Sequence, residues 1–75
     1  MIEKGYHKLK IEKDEKVVIY VTNVSHTDRS VTVNYLEPVE FIGRVIPISS
    51  FVGRYVVMSK NEVIKWKLKK MNYNS

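Results

Sequence analysis

The stretch KVVIYVTNV, Lys16 to Val24, limits what this chain can fold into more than any other feature. Its Cβ-branched residues lose side-chain freedom in a helix and fit a pleated sheet. Apolar residues fall at both odd and even positions, so a strand here needs cover on both faces and belongs in the middle of a sheet. Little chain surrounds it. The 75 residues make a single domain, 1–75, near the lower end of what folds without staples. With no cysteine and no alanine, the core must come from Val, Ile and Tyr packing, within one chain or against copies of itself.

The flanking segments read the same way. From His7 to Glu12, Leu9 and Ile11 alternate with Lys8 and Lys10, a half-buried strand, and Lys13-Asp14-Glu15-Lys16 is a polar turn. Ser25 to Arg29, SHTDR, is a loop of residues that hydrogen-bond their own backbone. In SVTVNY, Val31, Val33 and Tyr35 share one face. Leu36-Glu37-Pro38 breaks the ladder, because proline has no N–H to donate. A further strand starts at Val39, with Phe41, Gly43 and Val45 on its inner face, and Pro47 ends it. Ser49 to Arg54 is a connection, and Tyr55 to Met58 a short buried strand.

The last segment has two readings. Ser59-Lys60-Asn61-Glu62 matches the Ser-x-x-Glu capping box that opens a helix. Yet Ile64, Trp66 and Leu68 alternate with Lys65, Lys67 and Lys69, and a strand is the preferred reading, with a helix as its alternative. Five or six short strands then predict an all-β fold, a small SH3-like or Sm-like barrel, since a flat open sheet would leave unpaired edges. Residues 1–5 and 72–75 are expected to be flexible ends.

The run VTVNYLEPVEFIGRVIPI, Val31 to Ile48, resembles the first motif of the Sm-like RNA-binding family. In that motif alternating apolar residues lead to a turn, then to an apolar-x-Gly-x-apolar strand, here Phe41, Gly43 and Val45. The resemblance implies a bent-sheet barrel and a ring-forming oligomer. It carries over no RNA-pocket residue. Glu37-Pro38 stands where the family has Asn-Gly or Asp-Gly, Ile48-Ser49 where it has an aromatic-Asp pair, and its Met-Asn and second motif are missing.

Charge frames the functional reading. Thirteen Lys and Arg against eight Asp and Glu give a net charge of +5, which favours polyanions. An AT-rich genome would produce the same lysine-rich, alanine-free composition. On the strand reading Lys65, Lys67 and Lys69 form a ridge about 6.6–7 Å apart, near the spacing of phosphates along a single strand. Lys70, Arg54, Lys8 and Lys10 would extend it. Trp66, Tyr35, Phe41 and Tyr55 fall at core positions, which leaves Tyr6, Phe51 and Tyr73 as candidate exposed rings.

Catalysis is not expected. His7 and His26 are the only histidines, His26-Thr27-Asp28 is a loop tripeptide, and no nucleophile motif, metal-ligand spacing or phosphate-binding glycine loop occurs. No metal or cofactor is expected. No apolar run reaches the ~20 residues that cross a bilayer, so no membrane partner and a cytoplasmic location are expected. The leading expectation is a non-enzymatic protein that binds RNA or single-stranded DNA. The alternative is a phage or mobile-element protein, in the host cytoplasm, that inhibits or adapts a host protein through an acidic surface or sequesters a nucleotide. As a homo-oligomer it would use Ile42, Ile46, Ile48 and Phe51 around Pro47 as its contact patch.

Overall fold

The computed structural model describes residues 2–11 and 16–74. Five strands are present: β1 (Gly5–Leu9), β2 (Val18–Ser25), β3 (Ser30–Glu37), β4 (Phe41–Pro47) and β5 (Tyr55–Val57). Two helices join them, α1 (Ile48–Arg54) and α2 (Lys60–Asn74). The strands form one antiparallel sheet in the order β4-β3-β2-β1-β5, with the KVVIYVTNV run at its centre as β2. Glu12 and the turn Lys13-Asp14-Glu15 lie outside the described residues, as do Met1 and Ser75.

The sheet is open, which overturns both the all-β barrel and the Sm-like resemblance. β4 and β5 occupy opposite edges and do not pair, and the residues expected to close a barrel are helical instead. This is a small mixed α/β domain. The strand reading of the last segment required Ile64, Trp66 and Leu68 to share a buried face. Only Trp66 is buried, while Ile64 and Leu68 remain about half exposed. Val63 and Trp66, three apart and so on one side of a helix, make the contact with the sheet. Local chemistry starts the helix: Ser59 N–H donates to Glu62 Oε1 at 3.0 Å and Glu62 N–H to Ser59 Oγ at 3.2 Å. The reciprocal capping box satisfies two backbone donors at once, and outweighs an alternation that has no neighbouring strand to face.

α1 was expected as a connection. Pro47 takes the position before its first turn, and Ile48 N–H donates to the Arg29 carbonyl at 3.0 Å, so the β2–β3 loop supplies one acceptor for the helix start. Its one buried residue, Phe51, lies on a core of Ile19, Val21, Val31, Val33, Ile46 and Tyr55. A second, smaller core on the other sheet face joins Val18, Met58 and Trp66, with Tyr6, Leu36 and Val63 around it. The adjacent residues Val18 and Ile19 are both fully buried, one in each core, which is why β2 needs apolar residues at odd and even positions.

The edge strand β4 is irregular. Between Val33↔Arg44 and Tyr35↔Phe41 it carries one residue more than β3, a bulge at Ile42-Gly43, and Gly43 has φ +80°. Gly43 N–H donates to Asn34 Oδ1 at 3.1 Å. Gly43 therefore sits in a bulge at the edge of an open sheet.

Candidate functional site

α2 carries five lysines, Lys60, Lys65, Lys67, Lys69 and Lys70, and one carboxylate, Glu62. A helix redistributes the expected ridge. At 3.6 residues per turn Lys65 and Lys69 fall on one side, while Lys67 and Lys70 fall on another, so no single row of Lys65, Lys67 and Lys69 exists. The Lys67 ammonium lies 5.1 Å from the Tyr6 ring centroid and that of Lys70 lies 4.9 Å from the Trp66 ring, within cation–π range.

The sole carboxylate of α2 is already engaged. Lys8 on β1 donates from Nζ to Glu62 Oε2, the only ion pair among the described residues. That bond, aided by the Ser59 backbone N–H, pulls the Glu62 carboxyl from its ordinary 4.5 down to about 2. Lys8 thus stands at the start of α2, paired with its carboxylate and not extending a strand ridge. Lys10 and Arg54 stand elsewhere: Lys10 N–H donates to the Arg54 carbonyl at 2.8 Å. Lys10 also lines a cleft with His7, Phe51 and Tyr55, which belongs to the α1 side of the sheet.

A cleft of about 430 Å³ opens between the C-terminal half of α2 and the β3–β4 connection. Cations come from both sides: Lys69 and Lys70 from α2, and Lys16 at the entry to β2, the strand that pairs with Glu37. Carboxylates come from the β3–β4 side alone, Glu37 and Glu40 around Pro38. Leu36, Pro38 and Trp66 add apolar surface. Trp66 is 7% exposed, and its indole Nε1 is the only buried side-chain polar atom among the described residues without an acceptor. Lys16, Glu37 and Glu40 were absent from the sequence-derived set. They lie more than twenty residues from Lys69, and only the folding of α2 back onto the β3–β4 end joins them. In the sequence Glu37-Pro38 reads as a strand break and a turn, not as part of a site.

The expected contact patch is not assembled. Ile46 and Phe51 are buried in the core and Ile48 packs against it, leaving Ile42, at 82% exposure, as the only member on the surface. The outer edge instead exposes Val39, Phe41, Ile42 and Val45, among other exposed apolar residues. Phe41 therefore corrects a core expectation. Phe51, expected as an exposed ring, stacks on Tyr55 at 5.2 Å and meets the His7 ring edge-on at 5.2 Å. Tyr6 is half-buried between Tyr20 and Trp66, and the Tyr73 side chain is outside the described residues.

The histidines are occupied or apart. His7 is buried and donates from Nδ1 to the Gly5 carbonyl at 3.0 Å. Asp28 exchanges hydrogen bonds with Ser25 at 3.2 Å, and none joins it to His26. Among the described residues no group of three or more His, Cys, Asp or Glu could hold a metal ion, and no helix is long and apolar enough to cross a membrane. In comparison with known proteins the chain matches no family model, no curated protein and no solved structure.

Proposed function

We propose that this chain is a small basic, non-enzymatic protein of the cytoplasm that binds single-stranded RNA or DNA along α2. The observation that carries the reading is the charge state of that helix. It bears five lysines, and its one carboxylate is neutralised by Lys8, so nothing on the helix opposes a polyanion. Lys65 and Lys69 lie about 6 Å apart along the axis, one helical turn, and lead toward the cleft where Lys70 and Lys16 stand. A single strand could lay consecutive phosphates along this line and turn one base into the cleft, whose volume suits one nucleotide.

The test is fluorescence anisotropy with a labelled single-stranded RNA across a salt series. Contact with three or four phosphates predicts an affinity about 20–50-fold weaker at 200 mM than at 50 mM salt. Changing Lys65→Glu with Lys69→Glu should weaken binding and flatten the salt slope by about 1.4. An unchanged slope in that double variant would refute the reading.

A further inference from the structure

We propose that the cleft between α2 and the β3–β4 connection reads the base, and that it selects guanine. The inference rests on the single-strand reading above and assigns that surface its ligand. Its ground is which hydrogen-bonding groups the fold puts in one cavity. Glu37 and Glu40 bring carboxylates, which when ionised only accept. Lys69 and Lys70 on α2 bring groups that only donate, while Lys16 stands on the sheet side beside Glu37. A ligand that satisfies the cavity must offer donors toward the β3–β4 side and acceptors toward the α2 side.

Guanine meets that demand in a way the other bases do not. Its N1–H and N2–H₂ stand side by side, a two-pronged donor that fits the two oxygens of one carboxylate as a guanidinium does. Its opposite edge offers O6 and N7, both acceptors, to lysine ammonium groups. Adenine and cytosine each set a ring-nitrogen acceptor beside their amino group, which would face a carboxylate lone pair. Uracil flanks its single N–H with two carbonyls. Trp66 adds its ring to the apolar lining of the cleft. Leu36 and Pro38 give the flat ring an apolar surface to lie on.

The experiment uses the full chain and four labelled ten-nucleotide RNAs: all uridine, and the same strand with one central guanosine, adenosine or cytidine. A fifth carries inosine, which keeps N1–H and lacks the N2 amino group. The guanosine strand should bind about tenfold tighter than all-uridine, and inosine should forfeit most of that gain. Glu37→Gln and Glu40→Gln, singly and together, should shrink the guanosine-to-uridine ratio. Binding of all four standard strands with equal affinity would overturn the guanine assignment and leave the single-strand reading standing. So would a preference for adenosine or cytidine. No binding of any strand at low salt would overturn both.

Discussion

The Lys8 ammonium on β1 donates to the Glu62 carboxylate in the first turn of α2, across 54 positions of sequence. One carboxylate therefore caps the helix through Ser59 and ties it to the sheet through Lys8. α2 otherwise meets the sheet through Val63 and Trp66, and through the Lys67 ammonium over the Tyr6 ring.

Acid should loosen this joint. The folded-state pKa of Glu62 is lowered from 4.5 to about 2, so its contribution is fully present above pH 4.5 and lost as pH falls toward 2. Trp66 is the only tryptophan, and its fluorescence reports whether α2 is docked. Titration should show a Trp66 transition within that window, and Glu62→Gln should remove it. A transition of the same size in Glu62→Gln would assign it to another group.

Alkali should act at the opposite face. Tyr55 is pushed from 10.0 up to about 12, first by burial and then by the hydroxyl of Tyr35, 3.5 Å away. The folded state holds this proton more tightly than the unfolded one. Stability is therefore intact below pH 10 and declines as pH rises toward 12. The urea midpoint should drop between pH 10 and about 12 in the parent chain, and drop less in Tyr55→Phe.

The glycines give a paired test of backbone conformation. At Gly43 a Cβ would meet nothing within 4 Å, but φ is +80°, so Gly43→Ala pays only the left-handed cost of about 1–2 kcal/mol. Gly53 lies in α1 with equally open space, and Gly53→Ala should stabilise by about 0.5–1 kcal/mol. Thermal melts of the two variants should move in opposite directions. A shift of both the same way would show that packing, not backbone freedom, governs these sites.

What could be read in advance followed short-range physics. The apolar faces of β2 and the alternation in β3 were legible because the period of a strand is written in neighbouring residues. The capping box was legible too, yet it lost to the Lys-x-Lys-x-Lys alternation, because a strand pattern carries no mark of whether a partner strand exists. That choice decided between a closed barrel and an open sheet. α1 went unread because Ile48-Ser49-Ser50-Phe51 buries a single large residue, too few to set a helical period. The cleft went unread for a third reason: Lys16, Glu37 and Lys70 meet only through long-range packing, which no local pattern encodes.

An open sheet with Val39, Phe41, Ile42 and Val45 exposed at its rim would ordinarily be a template for fibril growth. The bulge at Ile42-Gly43 throws the outward peptide groups of β4 off the even spacing that an incoming strand needs. Pro47 then withholds an N–H at the end of the same strand. The rim is apolar yet irregular. The bulge that sets Gly43 at positive φ also makes this edge a poor template for an incoming strand.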